Sequence, residues 1–416
     1  MSKWQYVSLK DIALIGDGAH ASLKRVDKGI LYLTSKNFKP DGIYLNVVDY
    51  ISEETYHRYF KNDSKSLTKP KSGDVLLSII GTMGAPYLVK KDDEFGLSSS
   101  VSIIRSKEID SKYLYYWIKS PMFQGAINQI KNGVAQSFLS LPMIGSLPVN
   151  YPELYATQQK IAKILSNYDD LIENNLKRIY LLEESARLTY EEWFLRFRID
   201  GKKLDIDPKS GLPFGWRITS VTQCDAFMQD KGKIKEFKGN KTYYATADVD
   251  GTEITGDGEI INSYNKPSRA QIMPSNNTVW FARMSNTHKV LCFNNKNTNI
   301  QSNSILSSGF AGFKAKSNSC LPFLYFTINS TFFNELKNLY STGSTQVSLN
   351  NESMDYIKVI EPSSGFIEKY GEKILPMIEE VSTLRSKNQL LKEARDILLP
   401  RLMTGMINTD DTEVTA

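Results

Sequence analysis

The sequence is poor in the residues that usually mark a redox or metal-binding protein. Its 416 residues include only 3 Cys and 3 His. Cys224, Cys292 and Cys320 are widely spaced and form no CxxC pair, which favours a reducing, cytoplasmic compartment. No histidine has a Cys or a second His at metal-ligand spacing, so the sequence predicts no metal site.

Long apolar runs are also missing. No run of about 18 apolar residues occurs, so the chain is not expected to span a membrane. The first residues, MSKWQYVSLKDIAL, lack the charged and apolar regions of a signal peptide. We therefore expect a cytoplasmic protein with no membrane partner.

Catalytic motifs are absent as well. The sequence contains no GxxxxGK[ST] phosphate loop, no GxSxG and no Asn/Asp-Pro-Pro-aromatic loop of the amino-methyltransferase kind. GTMG (81–84) follows a predicted strand but lacks the rest of a dinucleotide fingerprint, which favours a hairpin or a DNA-facing turn. Adjacent acids such as Asp169–Asp170 and Glu183–Glu184 point about 100° apart on a helix. They predict a solvated flank and not an acid–base dyad, so no catalytic residue is expected.

What the chain does contain is a mild excess of positive charge. The formal net charge is +5, and 41% of the residues are apolar, enough for more than one hydrophobic core. The charge permits a nucleic-acid partner, but an ordinary basic protein fits the number equally well.

One phrase occurs twice, about half the chain apart. NGVAQSFLS (132–140) returns as TGSTQVSLN (342–350), 210 residues later. The same offset matches Leu114-Tyr115-Tyr116 with Leu324-Tyr325-Phe326, and Lys163-Ile164-Leu165 with Lys373-Ile374-Leu375. Two copies of this length predict two globular units and not a solenoid. Before residue 109 the copies align poorly, so loops of different length are expected between similar strands.

Each copy is predicted to begin with strands and turns. The predicted strands are 73–82, 101–106, 277–283, 289–293 and 303–310. A short helix is predicted after them in each copy, over 109–130 and 321–340.

A long helix is predicted to end each copy, over 155–197 and 364–405. Apolar residues recur along both with a 4-3 spacing that requires a partner helix. Asn175 and Asn388 interrupt the two stripes. They either lie in the helix contact, where a buried Asn fixes register, or at its edge. Gly371 and Pro376 are expected to weaken the first turns of the second helix.

The order of these features resembles the specificity (S) subunits of type I restriction–modification enzymes, over nearly the whole chain. The resemblance is carried by the two Gln loops and by QQKIAKILSNYDDLIENN (158–175), EEWFLRF (191–197), GLPFGWRI (211–218) and ARDILLPRLMTG (394–405). It implies an α+β fold with two target-recognition domains. Two long helices separate them and pair as an antiparallel coiled coil with pseudo-two-fold symmetry.

The resemblance implies the following division of the chain. Residues 1–153 and 199–363 would be the recognition domains, 154–198 and 364–408 the helices, and 409–416 a disordered tail. Each domain would read one half of an asymmetric, bipartite site in double-stranded DNA, and the helices would set the spacer. The expected role is that of a non-catalytic DNA-binding subunit.

The resemblance also implies partners. The helices would dock two methyltransferase (M) subunits, and nuclease/translocase (R) subunits would join through them. The complex would carry out adenine methylation or restriction. S-adenosylmethionine, ATP and Mg²⁺ would be used by those partners, with no cofactor in this chain.

Candidate DNA contacts follow from charge and loop position alone. The expected phosphate contacts are Lys24, Arg25, Lys69, Lys71, Lys233, Lys235 and Lys238. The expected base-edge or groove contacts are Thr82, Gln136, Arg283 and Gln346. Each basic cluster is also compatible with a solvated surface. For the two glutamines a hydrogen-bonded brace at the domain–helix junction is favoured over base contact, because both copies keep Gln although two half-sites should differ.

Two other classes of protein stay open at this point. One is a self-contained nuclease or methyltransferase with unrecognisable motifs, suggested only by stretches such as LDIDPKSG (204–211). The other is a coiled-coil scaffold with generic globular heads.

Overall fold

The computed structural model describes residues 3–39, 42–62, 64, 66–133, 138–234, 236–343 and 347–409. It divides into two compact units: residues 1–172 with 390–416, and residues 173–389. The described elements are a mixture of strands and helices, which confirms the α+β class. Of the predicted tail, only Thr409 lies within the described residues.

The first unit contains strands β1 (Trp4–Ser8), β2 (Ala13–Asp17), β3 (Ile30–Leu33), β4 (Phe38–Lys39), β5 (Gly42–Ile43), β6 (Asp49–Ile51), β7 (Val75–Ser78), β8 (Pro86–Leu88), β9 (Phe95–Leu97), β10 (Val101–Ser106) and β11 (Pro148–Pro152). Its helices are α1 (Leu9–Ile12), α2 (Glu53–Tyr59), α3 (Ser111–Lys119), α4 (Pro121–Gly133), α5 (Leu141–Ser146) and the first half of α6 (Tyr155–Tyr190).

The second unit contains β12 (Arg198–Ile199), β13 (Lys202–Lys203), β14 (Arg217–Ser220), β15 (Phe227–Asp230), β16 (Lys241–Tyr244), β17 (Val249–Asp250), β18 (Glu253–Ile254), β19 (Glu259–Ile261), β20 (Ala270–Ile272), β21 (Thr278–Ala282), β22 (Val290–Phe293), β23 (Ser304–Ser307), β24 (Phe310–Ala315) and β25 (Lys358–Glu361). Its helices are α7 (Thr298–Asn303), α8 (Leu321–Ile328), α9 (Thr331–Leu339) and the first part of α10 (Ser364–Met403), whose last part belongs to the first unit.

The two units share one internal topology. The first has a sheet of order β2-β10-β7-β8, and the second has β15-β24-β21-β22. Beside it, β3 pairs with β9 in parallel and with β6 antiparallel; β16 pairs likewise with β23 and β19. The pairs β1–β11 and β14–β25 also correspond.

This repeat includes the region before residue 109, where the sequences align poorly. From β3 to β5 and from β16 to β18 the elements follow each other at a constant offset of 211 residues. Even a local bond recurs: the Thr34 amide donates to Asn37 Oδ1, and the Ala245 amide to Asp248 Oδ2. The backbone repeats where the side chains have diverged.

One inner strand of each four-stranded sheet, β7 in the first unit and β21 in the second, separates two apolar cores. Its side chains alternate, because successive residues of a strand point to opposite faces. In β7, Val75 and Leu77 pack on the helical side, and Leu76 packs in a smaller core on the other face. In β21, Phe281 likewise packs on the helical side, and Trp280 packs in a smaller core on the other face.

The helix predicted after the strands is two helices in each unit. α3 ends at Lys119 and α4 begins at Pro121. Ser120 between them accepts the Phe123 amide through its Oγ, as Ser330 accepts the Phe333 amide before α9. The serine caps a new helix and Pro121 suits its first turn, so the single-helix prediction was wrong at this point.

The long helices α6 and α10 contact each other within each unit. In the first, Ile161 and Leu165 share a core with Leu399 and Leu402. In the second, Ile179 packs with Val381 and Leu384. There Asn175 Nδ2 donates to Asn388 Oδ1 at 2.8 Å, and Asn388 is 6% exposed. The two asparagines therefore bond to each other at the helix contact and are not at its edge.

Two of the acids assigned to a solvated flank are in fact paired. Asp169 accepts hydrogen bonds from Arg395 at 2.6 Å and from the Tyr116 hydroxyl at 2.7 Å. Burial lowers the pKa of Arg395, but the attraction and hydrogen bond of Asp169 outweigh it, so the net pKa is raised. In the second unit Glu183 accepts from Arg385 at 2.8 Å. A helix wheel could not show this, because the partners come from distant segments.

Helix α10 runs without a break through Gly371 and Pro376, so its first turns are not interrupted there. A tertiary contact explains why position 371 is a glycine. A Cβ on this residue would lie 2.0 Å from the carbonyl oxygen of Ser319 and 2.7 Å from its carbonyl carbon. The glycine therefore permits two backbones to approach closely.

We expect Gly371→Ala to destabilise the second unit by about 1–3 kcal/mol, because backbone atoms must move to admit the methyl group. Gly365→Ala in the same helix is the matched control, since a Cβ there meets nothing within 4 Å. That change should be neutral or stabilising by up to about 1 kcal/mol. Urea unfolding of both variants measures the difference; equal stabilities would show that the close approach does not matter.

Candidate nucleic-acid interface

Two basic segments occupy equivalent places in the two units. Residues 22–29 lie in the connection from β2 to β3, and residues 231–241 lead from β15 into β16. The second segment follows the edge of its sheet, where Lys233 forms a bridge with Ile272. Lys24, Lys233 and Lys238 are all exposed, while Lys235 lies outside the described residues. Matching position and charge make these two segments candidate phosphate-binding surfaces.

Arg25 is exposed but has partners within its own unit. Its Nε donates to Asp49 Oδ2 at 2.8 Å, and its Nη1 donates to the Leu23 carbonyl at 2.7 Å. The guanidinium carbon lies 4.1 Å from the centre of the Tyr32 ring. Arg25 thus covers a small core and holds the segment in place. Because its guanidinium already has these partners, Arg25 is a weaker candidate for phosphate binding than Lys24.

Lys69 and Lys71 belong to a third basic stretch, residues 67–74. The Lys69 ammonium lies 5.1 Å from the centre of the Tyr56 ring, and Tyr56 belongs to the same small core as Tyr32. Arg25 and Lys69 therefore flank one apolar cluster. Lys71 is exposed, and its amide donates to Asp74 at 2.7 Å. The structure brings these candidates into one part of the first unit.

Strands β7 and β21 each continue into a loop that we call the strand-end loop. It comprises residues 79–84 in the first unit and 283–288 in the second. Thr82 is exposed at the first loop, in the hairpin between β7 and β8. The hairpin interpretation of GTMG is thereby confirmed.

Arg283, by contrast, is used internally. It donates to the carbonyls of Phe310 and Leu349 at 3.0 and 3.1 Å, and to Asn351 Oδ1 at 2.7 Å. Burial lowers its pKa. The arrangement favours a bracing role for Arg283 over base reading.

Gln136 and Gln346 lie outside the described residues, but the segments that flank them are visible. The Leu139 amide donates to the Ile79 carbonyl, and the Leu349 amide donates to the Arg283 carbonyl, both at 2.9 Å. Each repeated Gln loop therefore returns to the start of the strand-end loop of its own unit.

Two lysines that sequence reasoning missed hold these loops. Lys131 on α4 donates to the Met83 carbonyl at 2.9 Å. Lys337 on α9 donates to the carbonyls of Met284 and Thr287. Lys337 is 2% exposed, and burial lowers its pKa to about 8. The two lysines do not share the 210-residue offset of the Gln loops, so the repeat gave no signal for them.

No group of three or more His, Cys, Asp or Glu side chains that could hold a metal ion occurs among the described residues. Within the same residues, no helix is both long enough and apolar enough to cross a membrane.

Residues 1–184 match the family model of the type I restriction modification DNA specificity domain. The type I restriction enzyme HindI specificity subunit of Haemophilus influenzae is 24% identical, over 98% of this chain and 100% of that protein. The MjaIX specificity subunit of Methanocaldococcus jannaschii is also 24% identical, over 98% of this chain and 94% of that protein. A solved type I S subunit from M. genitalium aligns over 96% of both chains with a TM-score of 0.56 and 14% identity, which indicates a shared fold.

Residues 1–184 are thus similar to the DNA specificity domain of type I restriction–modification systems. The resemblance of the chain to the specificity subunits of that class, expected from its motifs, is confirmed.

Proposed function

We propose that this protein is the non-catalytic specificity subunit of a type I restriction–modification complex and that each unit reads one half of a bipartite DNA site. The observation that carries the proposal is the repeated topology. Two readers share one backbone plan, and their loops and exposed side chains differ. Base sequence is read by side chains at groove edges, so two readers of this kind should recognise different half-sites. The complete site should be asymmetric.

The long helices would set the spacer and dock two methyltransferase subunits. α6 and α10 have 36 and 40 residues, or roughly 54 and 60 Å at about 1.5 Å per residue. Half-sites read from one face of DNA lie about 34–36 Å apart. Methyltransferase subunits would supply adenine methylation with S-adenosylmethionine. Nuclease/translocase subunits would add restriction with ATP and Mg²⁺.

Reconstitution with the cognate methyltransferase subunit tests this function. Methylation of a genomic DNA library, followed by sequencing of the modified adenines, should give one asymmetric, bipartite motif, and only when this chain is present. An unchanged methylation pattern after deletion of this chain would contradict the proposal. So would turnover of DNA by the purified chain alone with Mg²⁺ or S-adenosylmethionine, which would indicate a self-contained enzyme.

We expect the triple change of Lys233, Lys235 and Lys238 to Ala to weaken DNA binding on all sequences by a similar factor. Loss of each phosphate contact should also make the slope of log K against log salt shallower by about 0.9. Binding of the reconstituted complex to several duplexes, titrated with salt, measures both effects. The control changes Lys202 and Lys203 to Ala, since these exposed lysines lie on β13 of the same unit. An unaltered slope in the triple variant would remove the segment from the interface.

A further inference from the structure

The strand-end loops are built in the same way in both units, and this is not explained by packing of the strands. In each, the residue that follows β7 or β21 binds the end of the Gln loop: Ile79 accepts from Leu139, and Arg283 from Leu349. The next residue forms an isolated bridge with the same segment, Ile80 with Phe138 and Met284 with Ser348. Each unit thus joins its two loops at one base.

A lysine then holds the far side of the loop. Met83, four residues after Ile79, receives the ammonium of Lys131. Thr287, four residues after Arg283, receives that of Lys337. The same carbonyl is therefore bound in both units.

The lysines reach this carbonyl from different helix positions. Lys131 stands eleven residues after the capping serine Ser120, and Lys337 seven residues after its counterpart Ser330. Their helices hold the loops at other points too, where Gln124 donates to the Gly84 carbonyl and Asn338 accepts the Asn286 amide. Unrelated side-chain positions converge on one arrangement, which indicates that the position of the loop is what matters.

Holding the loop in this way is energetically costly in the second unit. Lys337 is 2% exposed, and its two hydrogen-bond acceptors are carbonyl oxygens. Burying a cation without an opposite charge disfavours its charged form, in keeping with the lowered pKa of Lys337. A structure that needed only packing at this place would have an apolar residue there, as the first unit has Ile127 at the position equivalent to Lys337.

The joined segments present exposed apolar side chains beside polar ones. In the first unit Ile80 and Phe138 are 43% and 42% exposed, and the exposed Thr82 lies two residues after Ile80. In the second unit Val347 is 42% exposed. Apolar groups that contact thymine methyls, together with hydroxyl and amide groups that bond to base edges, are the usual composition of a base-reading surface.

We propose that in each unit the strand-end loop and the segment bonded to it, residues 138–140 and 347–350, form one composite DNA-reading element, and that Lys131 and Lys337 are positioning residues that hold it in its reading conformation. This inference rests on the proposed function. It assigns the two lysines to the specificity of the half-site read by their own unit, without contact with DNA.

Lys131→Met and Lys337→Met test the proposal in the reconstituted complex. Methylation of libraries in which one half-site is randomised should show at least a tenfold loss of discrimination at one half-site in each variant, a different half-site for each lysine. The salt dependence of DNA binding should not change, because a positioning lysine neutralises no phosphate. Lys112→Met and Lys358→Met, which remove exposed lysines from the first and second unit, are the controls and should leave both half-sites unchanged.

Ile80→Ser keeps the test decisive if a lysine variant does not fold. Its side chain is exposed, so the fold should survive, and discrimination should fall at the half-site that Lys131 affects. Uniform weakening on all sequences with a shallower salt slope would overturn the proposal by making the lysines phosphate contacts. Unchanged discrimination in the folded variants would also overturn it. A wild-type complex without any sequence preference would instead contradict the proposed function itself.

Discussion

Replacing Arg395 by Met should destabilise the first unit by about 2–4 kcal/mol, because removal of one partner from a buried pair leaves the other charge uncompensated. Arg395 is 7% exposed, and its guanidinium donates to Asp169 and Asp396. Asp169 also accepts the hydroxyl of Tyr116, whose pKa is raised by burial and by the Asp169 charge. Met retains the apolar stem of Arg395, so the measured loss would report the missing charge.

Arg187→Met is the matched control for this change. Arg187 also bridges two acids, Glu184 and Glu191, but its side chain is 46% exposed. Exposed pairs contribute at most about 1 kcal/mol. Hydrogen exchange of the α3 and α4 amides for Arg395→Met, and of the α8 and α9 amides for Arg187→Met, would measure the stability of the unit that contains each change. A loss in Arg395→Met no larger than that in Arg187→Met would show that solvent screens the Asp169 pair as well.

Local sequence pattern predicted these strands and helices because residue type and short-range periodicity largely determine them. The run from Thr278 to Ala282 is rich in β-branched and aromatic residues, and it forms the buried strand β21. The apolar residues that recur with 4-3 spacing predicted two long helices. Ile161 and Ile179 of α6 and Leu384 of α10 are buried. The break at Ser120 was missed because a serine inside an apolar stripe resembles a solvent-facing position until its Oγ is seen to cap a helix.

The partners of charged side chains could not be predicted in this way. Arg25 and Arg283 looked like free cations in polar loops, yet Arg25 bonds to Asp49 and Arg283 to Leu349, both far away in the sequence. No sequence pattern singled out Lys337, which is buried. Which charge is free depends on tertiary contacts, and net charge or clustering carries no information about them.

The structural repeat extends further along the chain than the sequence match that revealed it. Sequence matching weakened before residue 109, but the sheets, the parallel pairs and the backbone bonds at Thr34 and Ala245 continue. Backbone hydrogen bonding restrains the topology, whereas exposed side chains are free to diverge. The proposed function, in which two units read two different half-sites, requires this combination.

We expect Gly18→Ala to destabilise the first unit by about 3 kcal/mol or more, at the upper end of overpacking effects, because the obstructing atoms are backbone. A Cβ at Gly18 would lie 2.2 Å from the Leu97 carbonyl oxygen and 2.4 Å from its carbonyl carbon. The same oxygen accepts the Ala19 amide at 2.8 Å. Strand β9 would have to move away, and β3 is paired with it.

Gly18→Ala should also affect function, because Gly18 lies just before the basic segment 22–29. The chain passes from Gly18 through the basic segment at 22–29 into β3, so displacing β9 should also misplace Lys24 and weaken DNA binding through the first unit. Gly125→Ala in α4 is the control, since its Cβ would meet nothing within 4 Å. Unfolding curves and half-site methylation should both separate the two variants. Normal stability with lost recognition would mean that Gly18 itself is close to DNA; lost stability with intact recognition would mean that the basic segment does not depend on the β3–β9 pair for its position.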